Sequence, residues 1–207
     1  MKLAEFIEMY PEFKPYVEFL REFLEKPPEE IEVRGFGELG GDAPGERVLG
    51  FALKPDKLFF RDMPPSITTF VHELIHLCKK PEESPEEVYA YNLVNLIMFC
   101  AERGVKCDPF KMFALRIEDV ERVLRKYGVS SIEEYYALRG IIPLGYEIGA
   151  ESELAPSAEL LGRPDYEEVA VKTFITELAS GIPFHPEGSL EVKVLLDLCR
   201  LTRSADL

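Results

Sequence analysis

His72-Glu73-Leu74-Ile75-His76 is the feature that most narrows what this chain can be. Only three histidines occur among 207 residues, and two of them stand four apart with a glutamate directly after the first. At this composition an H-E-x-x-H pattern arises by chance roughly six times in a thousand such chains. On an α-helix, side chains at i and i+4 project from one face, one above the other. Two imidazoles spaced in this way can meet a single ion.

The residues around the motif predict such a helix. Pro64-Pro65-Ser66 punctuates the chain, and a helical pattern follows over residues 67–79. At about 100° per residue, Ile67, Phe70, Val71, Leu74, Leu77 and Cys78 fall within roughly 120° of one another. His72 and His76 fall near the opposite pole, with Glu73 to one side. The helix is therefore expected to bury one face and to turn the histidines towards a cleft. An exposed pair joined by an ordinary helix salt bridge is the plain alternative, and the position on the wheel weighs against it.

These residue types suit one chemistry. Two neutral imidazoles leave Zn2+ with positions for a third ligand and a water. The ion lowers the pKa of that water and polarises a substrate carbonyl. Glu73, beside the ion, can take the proton of the water and pass it to a leaving amine. His72 and His76 are thus the expected metal ligands and Glu73 the expected catalytic base. A closed structural zinc site would have no use for Glu73.

The chain before the motif reads as two short helices over residues 3–25, broken near Pro11, then a weak strand from Ile31 to Phe36. Val48 to Leu53 and Leu58 to Phe60 flank Lys54-Pro55-Asp56-Lys57, the pattern of a β-hairpin. After the motif, Ser84-Pro85-Glu86-Glu87 opens a second helix that runs to about Arg103, where Gly104 stops it. Further helices are predicted over residues 109–127, 130–140, 165–180 and 188–202, with no internal repeat. The expected class is α+β: a small N-terminal mixed sheet with its two helices, followed by a mainly helical C-terminal part. The division falls at residues 1–105, a core with N-terminal helices, and 106–207, a helical region.

The hairpin Val48 to Phe60 followed by the His72 to His76 helix resembles the N-terminal half of zincin metallopeptidases. Residues 84–98 resemble the glutamate helix of the gluzincin branch, in particular its small minigluzincin members. The resemblance covers roughly residues 30–103. It implies a peptidase whose substrate, a peptide or unfolded protein segment, lies along an edge strand, for which Gly50-Phe51-Ala52 is the candidate, with a hairpin used only for structure as the equal alternative. It also implies a third zinc ligand from a glutamate of the second helix. Glu87, with Ala90, resembles the E-x-x-A spacing of that helix. Glu86 is the alternate, and Glu82 and Glu83 fall in the connecting loop. Glu87 also occupies the position from which it could bond the Ser84 backbone as a helix cap. Glu147 and Glu151, another pair four apart, and the distant His185 stay open as ligands. The metzincin continuation is absent, since Leu77-Cys78-Lys79-Lys80-Pro81-Glu82 follows His76.

Other readings remain open beside these. Tyr89 and Tyr91 could donate to an oxyanion, although aromatic residues on a helix are more often core. His185, between Phe184 and Pro186, could do the same or cap a helix. A non-catalytic or latent zinc-binding regulatory protein is the alternative function. In the latent form, Cys107, Asp108 or another acid of the C-terminal region would fill the open zinc position.

The formal net charge of −14 argues against nucleic-acid binding, which needs clustered Lys and Arg, and against acidic membranes. The start of the chain carries Glu5 and Glu8 and lacks the apolar run of a signal peptide, so a cytoplasmic protein is expected. Cys78, Cys100, Cys107 and Cys199 form no C-x-x-C pair and read as buried small hydrophobes, with a Cys100–Cys107 disulfide as the other option. The absence of Gln and the presence of only Asn92 and Asn95 suit a protein from a hot environment.

Overall fold

The computed structural model describes residues 1–41, 44–79 and 86–204; the side chains of residues 86–89 and 204 lie outside that description. The chain forms two compact units, Met1–Val105 and Lys106–Leu207. It is an α+β protein with a small mixed sheet in the first unit and a mainly helical second unit that adds one two-stranded sheet.

The first unit begins with α1 (Leu3–Met9) and α2 (Lys14–Leu20), separated by a 3-10 turn at Pro11–Phe13. Pro11 supplies no amide hydrogen and cannot continue α1, which explains the break. Three strands follow: β1 (Glu32–Gly35), β2 (Gly50–Leu53) and β3 (Lys57–Phe60). Their order is β1-β3-β2, with β1 parallel and β2 antiparallel to the central β3. The hairpin register pairs Gly50 with Phe60 and Leu53 with Lys57. Among the described residues, strand β2 is therefore an edge, and its outer backbone groups are free of the ladder.

Helix α3 (Ile67–His76) carries the motif, and α4 (Glu86–Arg103) follows it. Ser66 caps α3 by accepting from the Thr69 amide at 3.2 Å. Phe70 fixes the helix in the core. Its ring stacks on Phe6 at 5.5 Å and meets Phe13 at 4.7 Å and Phe60 at 6.0 Å. Burying such a ring stabilises the fold by about 1.5–3 kcal/mol. The far end of α3 is tied down by backbone bonds from Glu25 N to Leu77 O at 2.9 Å and from Lys79 N to Phe23 O at 2.8 Å. Helix α4 buries Ala90, Leu93, Leu96, Ile97 and Cys100 along one face. Near its end Glu102 accepts from the Tyr16 hydroxyl at 2.9 Å.

The second unit contains α5 (Ile117–Lys126), α6 (Ile132–Arg139), β4 (Tyr146–Ile148), β5 (Leu154–Pro156), α7 (Ala158–Leu161), α8 (Tyr166–Gly181) and α9 (Leu190–Ser204). One expectation needs correction here. The helix expected over 109–127 is a 3-10 turn at Met112–Ala114 and then α5. The Asp108 carboxylate accepts from the Phe110 and Lys111 amides, which competes with helical bonding at that point. Arg116 is extended and starts α5 afresh, with Asp119 bonding back to its amide. Residues 141–164, to which the sequence pattern assigns no element, contain the β4–β5 hairpin and α7. Three-residue strands give too little alternation to be seen in a sequence. All four cysteines are buried free thiols, so the disulfide between Cys100 and Cys107 is not formed. Among the described residues, no helix is long and apolar enough to cross a membrane.

Candidate metal centre

Helix α3 runs beside the edge strand β2, and a cleft of about 830 Å³ opens along them. From α3 it is lined by Thr68, Thr69, His72, Glu73 and His76, which fall on two adjacent i, i+4 rows. Gly50, Phe51 and Ala52 line it from β2, and Tyr91, Val94 and Asn95 from α4. The structure thus brings the motif and the strand residues singled out in the sequence to one place.

The two imidazoles turn the same nitrogen to one point. His72 Nε2 and His76 Nε2 are 3.2 Å apart, with their rings nearly perpendicular at 78°. Two nitrogens on one tetrahedral zinc, each at about 2.05 Å, stand about 3.3 Å apart. The donor pair fits such an ion on distance as well as on chemistry. Ligand atoms of His72, Glu73 and His76 all lie within 4.8 Å of one another, so the group could hold a metal ion. Glu73 and His76 are each only 6% exposed, while His72 is partly open to the cleft. Burying a carboxylate between helix and strand is costly unless other groups compensate, and a cation beside it would do so.

The histidines do face a cleft, but α3 is more enclosed than a helix with one apolar face: Ile75 and His76 are buried as well. Helix α4 packs on α3, and its Tyr91 meets the ring of His72.

Tyr91 departs from the expectation that it packs in the core. It is 71% exposed, and its ring lies 4.6 Å from that of His72, tilted by 56°. The signal that finds it, together with Asn95, is their four-residue spacing on α4. The start of β2 is held by Arg61. Its guanidinium donates to the carbonyls of Pro44 at 3.0 Å, Gly45 at 2.8 Å and Val48 at 2.9 Å while lying over Phe36. Nothing in the sequence marks Arg61 for this task.

The remaining candidates are placed as follows. Glu87 and Glu86 belong to the first turn of α4, but their side chains lie outside the described residues, as does that of Tyr89. Glu82, Glu83 and the Ser84 cap also lie outside them. Glu147 sits on β4 and Glu151 in the turn after it, so they do not share a helix face. His185 belongs to the second unit, where its Nδ1 lies 3.7 Å from the buried Glu191. In the same unit Cys107 Sγ accepts from the Thr202 hydroxyl at 3.8 Å. No protein-family model, curated protein or solved structure matches this chain. The functional reading therefore rests on these residues and their geometry.

Proposed function

We propose that the chain is a zinc-dependent metallopeptidase acting on a peptide or an unfolded protein segment. The observation that carries this reading is the pair of Nε2 atoms 3.2 Å apart, with the buried Glu73 beside them and an edge strand along the same cleft. His72 and His76 hold the metal. When bound, zinc supplies an acidified water and a Lewis acid for the scissile carbonyl. Substrate adds to the free edge of β2 through the backbone of Gly50, Phe51 and Ala52, which orients the bond to be cut. Glu73 takes the proton from the attacking water and delivers it to the departing amine.

Glu87 is the proposed third ligand. Tyr91 and Asn95 line the cleft from α4, and Glu87 precedes them by four and eight residues in the sequence, the spacing of one helical row. Glu86 stands about 100° away from Glu87 around a helix.

Metal analysis of the wild type and of Glu73→Ala, combined with a peptide-cleavage assay, tests the reading. The expected result is zinc bound by both proteins and cleavage lost only in the variant. A protein that carries no metal after zinc loading would overturn it. Zinc needed for folding, with no cleavage under any condition, would favour a structural zinc module instead.

A further inference from the structure

Gly50 opens the edge strand, and its lack of a side chain has a specific neighbour. A Cβ built on Gly50 would lie 3.1 Å from Glu73 Cγ, 2.9 Å from Phe60 Cδ1 and 3.1 Å from the Phe59 carbonyl oxygen. The Gly50 backbone is not in the left-handed region, so conformation does not demand glycine here. Space does. The Phe60 ring edge, the Glu73 side chain and the Phe59 carbonyl together occupy the volume that any other residue at position 50 would need.

We infer that Gly50 is a positioning residue for Glu73: the bare strand start is a notch that seats the base against β2. The inference rests on the peptidase reading for its catalytic meaning, but the contact itself does not depend on that reading. Phe60 is fully buried, and the Phe59 oxygen is backbone of the central strand β3. Of the three neighbours, only Glu73 lines the open cleft, so Glu73 has the most room to give way when a methyl group at position 50 presses on it, while the Phe60 ring edge must also shift. Efficient proton transfer needs the carboxylate within hydrogen-bond reach of the water, and a shift of about 1 Å far from the reacting bond can cost about a hundredfold in rate. Arg61, by fixing the carbonyls of Pro44, Gly45 and Val48, holds the strand start that forms the notch.

Two readouts test this. The first is a thermal-unfolding cycle of the wild type, Gly50→Ala, Glu73→Ala and the double variant, because coupling between neighbours appears as non-additivity. Gly50→Ala is expected to lower Tm by several degrees in the wild-type background. In the Glu73→Ala background, where Cγ is gone, the shift should be smaller, with the contacts to Phe60 and the Phe59 oxygen setting what remains. Equal shifts in both backgrounds would overturn the inference. If Gly50→Ala alone does not fold, recovery of folded protein in the double variant supports the inference, and failure of both overturns it. The second readout is kinetic. Folded, zinc-loaded Gly50→Ala should keep KM within about threefold and lose kcat by roughly tenfold or more. Wild-type kcat in that variant would overturn the positioning role. A wild type that cleaves no peptide would sink the proposed function instead, while the thermal cycle would still decide whether Gly50 makes room for Glu73.

Discussion

Glu73 in the first unit and Asp197 in the second, which also buries Glu191, are carboxylates treated in opposite ways. Asp197 on α9 is 8% exposed and is saturated with donors: Lys126 Nζ at 2.8 Å, the Tyr127 hydroxyl at 2.6 Å and the Arg200 guanidinium. Burial works against its charge, but the bonds from Lys126 and Tyr127 outweigh it and hold the carboxyl below the ordinary Asp range. Glu73 on α3 is as deeply buried, yet it lines an open cleft between two imidazoles and a glycine notch. A carboxylate closed off by fixed cations and hydroxyls ties α9 to α5 and is used up by that task. One that faces a cleft beside two convergent nitrogens is placed for chemistry. Burial alone would not tell them apart; what surrounds each group does.

The largest expected effect would break or secure the metal side of the comparison. His76→Ala and Glu87→Ala should each weaken zinc binding by roughly a hundredfold or more, beyond the effect typical of groups that only orient a ligand. Glu86→Ala should stay within about threefold of the wild type. Competition with a chelator of known affinity measures all three. If Glu86→Ala proved the damaging change and Glu87→Ala the silent one, the ligand assignment would pass to Glu86 and the shared row with Tyr91 and Asn95 would lose its meaning.

A smaller effect sharpens the structural side. Asp197→Ala removes the acceptor for three donors and should destabilise the protein by about 1–3 kcal/mol. Lys126 and Arg200 are largely exposed and return to water, which keeps the loss below that of a fully buried pair. Zinc affinity should not change. Urea unfolding and the same chelator competition would show both results, and an altered zinc affinity would contradict the division of roles between the two carboxylates.

How far each carboxylate was legible in the sequence follows from the range of the interactions. His72, Glu73 and His76 are local: one helical repeat places them, and the apolar pattern of α3 shows that they belong to a helix. The hairpin was readable because Pro55 and Asp56 separate two apolar runs. The tie between Asp197 and Lys126 spans 71 positions, and the bonds from Arg61 to the strand start span 13 to 17. Such links leave no periodic trace. The notch at Gly50 is similar, since a glycine in a strand has several possible causes and only the position of Glu73 selects one. Tyr91 was misjudged because an aromatic residue on a helix is ordinarily buried, and only the packing of α4 against α3 shows that this one faces His72.

The smallest expected effect concerns a third kind of buried polar group. Tyr136 is fully buried, and among the described residues its hydroxyl has no hydrogen-bond partner; the Tyr146 hydroxyl shares that condition. Burial, then the neighbouring Tyr146 and Glu177, pushes the Tyr136 phenol well above its ordinary pKa of 10.0, and burial pushes Tyr135 up to about 12. The sign follows directly. Above pH 10 the unfolded chain gives up protons that the folded chain retains, so stability is intact below pH 10 and falls as the pH rises beyond it. Each such tyrosine contributes a slope of at most about 1.4 kcal/mol per pH unit. Tyr136→Phe removes a hydroxyl that bonds nothing among the described residues, so at neutral pH it should change stability by less than about 1 kcal/mol. Above pH 10 the variant should lose stability less steeply than the wild type and outlast it. Urea midpoints measured at neutral and alkaline pH check this, and parallel pH slopes for the two proteins would show that burial does not hold the Tyr136 phenol protonated in the folded state.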